Sequence, residues 1–238
     1  GSSGFPKGVV MTHRGAISTI QSWLFGIKIS ARLGWSPAPM IDKKGKTFQP
    51  CSLVTVPFFH VSGTHPGILM SIWLGMKMVI CHKWDPKKAV ELVEREQVTR
   101  FAGVPTMSME LINAAASMGV TLDSIRNIDA GGAGRPADQV GILAEAVPHA
   151  LIGTGWGMTE TNGMGIGLRG EEFIANPGVA GRLQAPLPQI KIVDEHDQEL
   201  PTGEVGELVF KCVSNMRCYL NQPQATAECL CECTISPH

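Results

Sequence analysis

The sequence predicts an α/β fold: a mostly parallel sheet flanked by helices on both faces, followed by a small antiparallel β subdomain. Short apolar segments alternate with longer amphipathic ones between residues 52 and 152, and this alternation is typical of parallel sheets. Beyond residue 177, short strand-like segments follow one another with turns and no long helix between them, which favours antiparallel pairing. We therefore predict an α/β part over 1–176, a β part over 177–228 and an atypical tail over 229–238.

Apolar periodicity and turn residues place the individual elements. Strands are predicted at 52–56, 78–81, 101–105, 125–130 and 151–152, with antiparallel strands at 189–193 and 206–210. Helices are predicted at 16–24, 64–74, 86–98, 107–118 and 136–147. Asp85 and Pro86 have the residue types of an N-cap and a first helical position. Residues 27–50 lack periodicity, so we expect a surface connection there.

Composition and charge limit the class of partner. The chain has 238 residues, 44% of them hydrophobic, and a formal net charge of −1, which gives no electrostatic case for nucleic acid or an anionic membrane. The longest weakly charged run, 61–76, is shorter than a membrane span and contains His65. We expect a buried helix there, no transmembrane segment, a small-molecule substrate and, because no signal peptide is visible, a cytoplasmic location.

Cysteine usage indicates reduced thiols. The seven cysteines are odd in number and show no Cys-x-x-Cys spacing. Cys229, Cys231 and Cys233 stand at alternate positions, so they could crowd one strand face or form a metal cluster. Their spacing matches known zinc patterns loosely, and reduced thiols remain the simpler interpretation.

The first eight residues have the composition of a phosphate-binding loop. Ser2 and Ser3 supply hydroxyl donors, glycines such as Gly4 let backbone amides approach an anion, and Lys7 supplies a mobile positive charge. The order Pro-Lys-Gly is not that of a Walker loop. The alternative is a flexible expression linker, since Gly-Ser-Ser-Gly also has that composition.

A second chemical signal is Gly-Trp-Gly-Met-Thr-Glu at 155–160. The hydroxyl of Thr159 can donate to a phosphate oxygen, the carboxylate of Glu160 can hold Mg²⁺, and Trp156 offers a flat surface for a purine. The alternative is a turn with a buried tryptophan and an exposed glutamate. His60 and residues 131–133 also follow predicted strands, and ligands of parallel sheets lie beyond the carboxyl ends of their strands.

Five motifs in order resemble the adenylate-forming (AMP-binding) superfamily, and most of all its acyl-CoA synthetases or fatty-acid–CoA ligases. They are Ser-Ser-Gly-Phe-Pro-Lys-Gly-Val with Thr12-His13, Pro-Phe-Phe-His at 57–60, Gly-Gly-Ala at 131–133, Gly-Trp-Gly-Met-Thr-Glu-Thr at 155–161, and Gly-Glu-Val-Gly-Glu-Leu at 203–208 with Tyr-Leu-Asn at 219–221. The resemblance reaches to about residue 228. It implies that a carboxylate attacks the α-phosphate of ATP, after which coenzyme A takes the acyl group.

The resemblance also implies residue roles. Catalysis is expected at Lys7, His60, Thr159 and Glu160, with Glu160 holding Mg²⁺ and His60 lining the acyl pocket. ATP is expected to contact Ser2, Ser3, Gly4, Lys7, Gly131, Gly132, Ala133, Gly155, Trp156 and Thr159. Of these, Trp156 stands where the family usually has a tyrosine against adenine.

The chain departs from the family pattern at both ends. No strand precedes the loop, and after 225–228 the family's Thr-Gly-Asp motif and lysine-bearing C-terminal domain do not follow. We therefore expect a fragment of the large N-terminal domain, which leaves two functions open: adenylation and CoA ligation, or non-catalytic nucleotide binding. A dehydrogenase using 131–134 is disfavoured, because the spacing is not Gly-x-Gly-x-x-Gly.

Overall fold

The computed structural model describes residues 5–35, 41, 45, 47–184 and 186–230. Of the predicted site residues, Ser2, Ser3 and Gly4 lie outside the described residues, as does most of the predicted tail. All other site residues can be located.

A seven-stranded sheet forms the centre of the fold. Eleven strands are found in the described part of the chain: β1 Val9–Val10, β2 Cys51–Val54, β3 Lys77–Ile80, β4 Arg100–Gly103, β5 Asn127–Ala130, β6 Leu151–Gly157, β7 Gly165–Arg169, β8 Arg182–Leu183, β9 Gln189–Val193, β10 Glu207–Lys211 and β11 Cys218–Tyr219. The large sheet has the order β3-β2-β4-β5-β6-β7-β8. Its first five strands are parallel and its last two antiparallel, so the predicted mostly parallel sheet is confirmed.

Helices lie between successive strands and after the last one. They are α1 His13–Arg32, α2 Val61–Gly63, α3 Met70–Trp73, α4 Pro86–Glu96, α5 Pro105–Met118, α6 Ala137–Ala146, α7 Gly170–Ala175 and α8 Pro223–Cys229, with a π-helical turn at Thr64–Leu69 and a 3₁₀ turn at Thr159–Thr161. As predicted, α4 begins where Asp85 accepts a hydrogen bond from the backbone N–H of Lys88 and Pro86 takes the first position. None of the helices in the described ranges is long and apolar enough to cross a bilayer.

The hydrophobic core lies between the parallel strands and helices α4, α5 and α6. Phe101 on β4, Ile128 on β5, Val90 on α4 and Leu111 on α5 are all fully buried within it. Such side chains come from the apolar faces that the sequence pattern marks, because strand and helix periodicities direct them inward. This core holds the carboxyl ends of β4, β5 and β6 side by side at one edge of the sheet.

The prediction of a surface connection is wrong for residues 27–32, which continue α1 to Arg32. Ile27 and Ile29 are more than one-third exposed, so this last part of the helix buries no apolar stripe. Its backbone hydrogen bonds hold it instead, ending with the N–H of Leu33 on the carbonyl of Ile29. Sequence periodicity reports burial, and an exposed helical turn leaves no such signal.

The antiparallel strands complete the fold. β9 and β10 form a two-stranded antiparallel sheet from Gln189 to Lys211, which confirms the predicted antiparallel strands. β8 follows residue 176 in sequence yet pairs with β7 of the large sheet, so the sheet extends past that position. A second two-stranded sheet pairs β1 with β11, joining the start of the described chain to its end.

Candidate nucleotide-binding site

The hairpin of β6 and β7 carries the Thr-Glu motif on its turn. β6 extends to Gly157, further than the two residues predicted, because it pairs in parallel with β5 and then in antiparallel with β7. Glycine is required at Gly165, where any side chain would collide with the carbonyl of Trp156. The hydroxyl of Thr161 closes the turn by donating to the carbonyl of Met164 over 2.6 Å. Thr159 and Glu160 are thereby held at the carboxyl end of β6.

Asn162 fixes this turn against two other parts of the chain. Its side chain is fully buried. Its Oδ1 lies 3.0 Å from Nε2 of His65 in the π-helical turn, and its Nδ2 donates to the carbonyl of Ser214 over 2.6 Å. Burial lowers the pKa of His65, and the hydrogen bond with Asn162 opposes this shift. A neutral His65 donating from Nε2 to Oδ1 satisfies this geometry.

Helix α1 approaches Asn162 so closely that position 15 has no room for a side chain. A side chain on Gly15 would meet Nδ2 of Asn162 at 2.9 Å and the hydroxyl of Thr12 at 3.2 Å. Thr12 is the N-cap of α1, and its hydroxyl accepts from the backbone N–H of Gly15. The first turn of α1 therefore lies directly against the buried amide that supports the Thr-Glu turn. The predicted helix after the loop is confirmed here.

Tyr219 joins the Thr-Glu turn to the end of the described chain. Its hydroxyl donates to Oε1 of Glu160 over 2.6 Å, and the two residues are 59 positions apart in sequence. The backbone N–H of Met216 donates to the carbonyl of Glu160, also over 2.6 Å. Burial, together with the hydrogen bond to Glu160, raises the pKa of Tyr219 well above its ordinary value. The phenol is therefore a protonated donor at neutral pH.

Lys7 lies on the ring of the same tyrosine. Its Nζ is 4.5 Å from the centre of the Tyr219 ring, a distance at which a cation is attracted to the face of the ring. The pairing of β1 with β11 sets this contact, since Val9 lies opposite Tyr219 and the N–H of Leu220 donates to the carbonyl of Gly8. The structure thus brings Lys7 and Glu160, two predicted site residues, to one tyrosine.

The glycine segment 131–133 follows β5, beside the end of β6. The N–H of Gly131 donates to the carbonyl of Gly103, which continues the strand pairing. A Cβ atom on Gly131 would lie 3.4 Å from the carbonyl oxygen of Gly155, so these two predicted contacts are neighbours. Gly132 has a φ of 78°, a conformation that glycine adopts without strain. Gly132 and Ala133 are exposed to solvent.

Trp156 and His60 occupy separate positions. Trp156 is 37% exposed. Its ring centre lies 6.5 Å from that of Phe210 on β10, in an edge-to-face arrangement. His60 is the N-cap of α2, where its Nδ1 accepts from the backbone N–H of Ser62. Within the part of the chain that the structure describes, no hydrogen bond links His60 to the other predicted site residues.

Glu160 has the chemistry of a magnesium ligand. Its carboxylate is half-buried, and one oxygen is occupied by Tyr219 while the other remains for a hard cation. No cluster of three or more His, Cys, Asp or Glu side chains suited to a metal occurs in the described ranges. Mg²⁺ in nucleotide sites is held by one or two carboxylates together with phosphates and water, so a single carboxylate fits that ion.

Sequence reasoning assigned no role to Asn162, His65 or the side chain of Tyr219. Asn162 lies two positions after Glu160, and Tyr219 is the only tyrosine of the chain, but neither feature identifies a partner. The proposed metal cluster at Cys229, Cys231 and Cys233 involves two residues outside the described part. Cys229 ends α8 and is exposed.

Comparison with known families now bears on this site. The family model for AMP-binding enzymes matches residues 1–220. The chain belongs to the AMP-binding enzyme family. This family member is 30% identical over 230 residues to 4-coumarate–CoA ligase 5 of Oryza sativa subsp. japonica, a match that covers 95% of the chain and 40% of the relative. It therefore spans about two-fifths of that relative's length.

Solved structures agree on the fold of this AMP-binding enzyme chain. The N-terminal domain of FACL13 from Mycobacterium tuberculosis superposes with a TM-score of 0.78 at 23% identity, covering 97% of the chain and 53% of that domain structure. O-succinylbenzoate coenzyme A synthetase (MenE) from Bacillus subtilis, solved with ATP and magnesium ion, gives a TM-score of 0.76 at 26% identity. That match covers 98% of the chain and 44% of MenE.

Proposed function

We propose that this chain supplies the nucleotide- and acid-binding part of an ATP-dependent acid–CoA ligase. In the first step a carboxylate oxygen of the acid attacks the α-phosphorus of ATP, and the bond to the pyrophosphate leaving group breaks. In the second step the thiolate of coenzyme A attacks the acyl carbonyl and AMP leaves. Both steps develop charge on oxygen atoms, so the protein contributes mainly positioning and electrostatic stabilisation.

The observation that supports the proposal most is that Lys7 and Glu160 both contact Tyr219. Nζ of Lys7 lies 4.5 Å from the ring centre, and Oε1 of Glu160 lies 2.6 Å from the hydroxyl. Lys7 carries a positive charge that suits the phosphates, and Glu160 carries a carboxylate that suits the Mg²⁺ of an Mg²⁺-polyphosphate. In this proposal Lys7, with Ser2, Ser3 and Gly4, binds the β- and γ-phosphates. Mg²⁺, when bound, neutralises phosphate charge and is held by Glu160.

The remaining predicted residues take the other parts of the nucleotide and the acid. Thr159 is proposed to donate to an α-phosphate oxygen from the same turn as Glu160. Gly155 and Trp156 are proposed to border adenine, with the 37% exposed tryptophan ring as a stacking surface. Gly131 lies beside Gly155, and residues 131–133 are proposed to border both adenine and the acid. His60 is proposed to line the acyl pocket.

The acid is proposed to be a carboxylic acid with an apolar acyl group, and a fatty acid is the first candidate. The names of the similar proteins mention 4-coumarate and O-succinylbenzoate, so family membership alone admits aromatic acids as well. A panel of fatty and aromatic acids in carboxylate-dependent ATP–pyrophosphate exchange would rank them. Exchange above the acid-free background supports adenylation.

Nucleotide binding gives the more direct test of the site. Calorimetry on the 238-residue chain is expected to show ATP binding that strengthens when Mg²⁺ is added. Binding without exchange would favour a nucleotide-binding chain that does not adenylate. No binding of ATP, with or without Mg²⁺, would overturn the proposed site.

The substitution Glu160→Gln tests the metal carboxylate. Glutamine keeps an oxygen that accepts from Tyr219 but removes the charge, so we expect Mg²⁺-ATP affinity to fall by about tenfold or more while Mg²⁺-free ATP binding changes little. A matched control is Glu171→Gln, an exposed glutamate in the first turn of α7. That turn lies by Leu151, at the opposite end of β6 from Glu160. Equal effects of both substitutions would contradict the metal role.

A further inference from the structure

Tyr219 occupies a position from which it can control both charged groups of the proposed site. The residue is only 6% exposed and lies on β11, opposite Val9 of β1. Lys7 precedes β1 by two positions, so the strand pairing carries its side chain onto the tyrosine ring. The same ring directs its hydroxyl to Glu160. One buried side chain therefore contacts a cation on its face and an anion at its tip.

The hydrogen bond has the geometry of a strong contact. The distance of 2.6 Å between the hydroxyl and Oε1 is typical of an O–H donor bound to an ionised carboxylate. A hydroxyl holds one carboxylate oxygen without adding a charge that would repel a cation. The second oxygen, Oε2, is left for a metal ion. A phenol has an ordinary pKa of about 10, so it keeps its proton and donates at neutral pH.

The contact with Lys7 works differently. An ammonium group over an aromatic ring is attracted by the electron density of the ring face, yet it keeps its charge and can still donate hydrogen bonds to other groups. An ion pair with Glu160 itself would instead neutralise both groups. Tyr219 stands between them and keeps them close without direct pairing in the described structure.

We infer that Tyr219 is a positioning residue: its hydroxyl orients the Glu160 carboxylate toward a divalent cation, and its ring places the Lys7 ammonium against the phosphates that the cation binds. This inference rests on the proposed function. It assigns to Tyr219 two separable effects, one on Mg²⁺ through the hydroxyl and one on ATP through the ring. No bond is made or broken by the residue.

Two substitutions separate the effects. Tyr219→Phe keeps the ring and removes the hydroxyl, so the Mg²⁺ concentration that half-saturates its effect on ATP binding should rise about tenfold while Mg²⁺-free ATP affinity stays within about twofold. Tyr219→Leu removes both contacts, so Mg²⁺-free ATP affinity should also fall, as it should in Lys7→Met. In a Glu160→Gln background, Tyr219→Phe should have no further effect on the Mg²⁺ response.

The single tyrosine also permits a direct spectroscopic readout, since the sequence contains no other. With a ¹³Cζ label on tyrosine, one NMR signal reports the phenol. We expect it to move when Mg²⁺-ATP is added to the wild-type chain and to move much less in Glu160→Gln. A purely structural tyrosine would give the same signal change in both proteins, which would overturn the inference.

The outcomes distinguish this inference from the proposed function. If the wild-type chain binds ATP in an Mg²⁺-dependent way and Tyr219→Phe responds to Mg²⁺ like the wild type, the inference is wrong and the proposed function stands. If the wild-type chain shows no ATP binding at all, both are wrong. A matching thermal unfolding curve for Tyr219→Phe confirms that the measured change comes from a folded protein. In a Lys7→Met background, Tyr219→Leu should cause no further loss of Mg²⁺-free ATP affinity, and a further loss would contradict the role of the ring in placing Lys7.

Discussion

Two regions of this molecule are held together by different forces. Around β4, β5, α4 and α5, fully buried apolar side chains such as Phe101, Ile128 and Leu111 pack against one another. Beside the Thr-Glu turn, by contrast, buried polar groups do the joining: His65, Asn162 and Ser214 are bonded over 97 and 52 positions of sequence. The first region, which we call the scaffold, is held by hydrophobic burial. The second, which we call the seam, comprises His65, Asn162 and Ser214 and is held by directed hydrogen bonds.

Hydrogen bonds position individual atoms more precisely than apolar packing does. Apolar packing is non-directional and scales with buried area, so it stabilises the sheet without fixing one atom. A hydrogen bond fixes both distance and angle. Through Asn162, two positions after Glu160, the seam joins the π-helical turn to the Ser214 loop, and the first turn of α1 packs against it. The groups that we propose to contact a nucleotide are therefore positioned by the directional contacts and supported by the apolar ones.

The largest loss of stability is expected from a substitution in the scaffold. Phe101→Ala removes a fully buried ring that packs 5.7 Å from the ring of Trp84, and we expect the free energy of unfolding to fall by about 3–5 kcal/mol. Urea unfolding followed by circular dichroism measures it. Phe59→Ala is the matched control, because Phe59 is 94% exposed. A similar loss in both variants would contradict the location of the core.

The next largest loss of stability is expected from a substitution in the seam. Asn162→Ala leaves the carbonyl of Ser214 and the ring of His65 without their partner. We expect the free energy of unfolding in urea to fall by about 2–4 kcal/mol, including the extra cost of alanine over asparagine at positive φ. Asn221→Ala is a matched control, since Asn221 shares the φ of 54° but is exposed. The difference between the two losses of unfolding free energy isolates the contribution of the buried hydrogen bonds. Equal losses would mean that the hydrogen bonds of Asn162 contribute nothing to stability.

This contrast explains how much of the fold was predictable. Strand and helix periodicity found the parallel strands and α4 to α6, because Phe101, Ile128 and Val90 face inward at regular spacing. It missed the end of α1, where exposed Ile27 and Ile29 give no burial signal. It also missed β7, whose run Gly165–Arg169 includes two glycines that weaken any strand pattern.

The candidate site was predictable by residue type but not by contact. Glycines, a lysine and a Thr-Glu pair marked Lys7, Thr159 and Glu160 as residues suited to phosphate and Mg²⁺, and their roles remain predictions. Nothing in the spacing shows that Tyr219 would join Lys7 to Glu160, since that depends on pairing β1 with β11 at opposite ends of the chain. The partners of Asn162 are also distant in sequence, at 97 and 52 positions.

A smaller effect concerns the pH dependence of the seam. Burial lowers the pKa of His65 in the folded state, so below its unfolded pKa of about 6.5 the unfolded chain binds the proton more readily. Stability should therefore be fully present above that pH and fall as the pH decreases toward the lowered folded pKa, by at most about 1.4 kcal/mol per pH unit.

Urea unfolding at several pH values between 5 and 8 tests this with His65→Gln as the comparison. Glutamine can donate to Oδ1 of Asn162 but does not titrate, so the slope attributable to His65 should disappear. The chain has seven histidines, and the difference between the two proteins removes the contribution of the other ones. Equal pH slopes would mean that His65 is protonated as easily in the folded chain as in the unfolded one.

The smallest expected effect lies at the edge of the seam, where Nε1 of Trp23 on α1 donates to Oε1 of Gln184 over 2.9 Å. Gln184→Ala should lower the free energy of unfolding by about 0.5–1.5 kcal/mol, because this hydrogen bond is only partly buried and water can replace it. Gln224→Ala, on exposed α8, is the control. A double-mutant cycle with Trp23→Phe should recover most of that loss as coupling between the two residues. If Gln184→Ala instead cost as much as Asn162→Ala, burial would not be what distinguishes the centre of the seam from its edge.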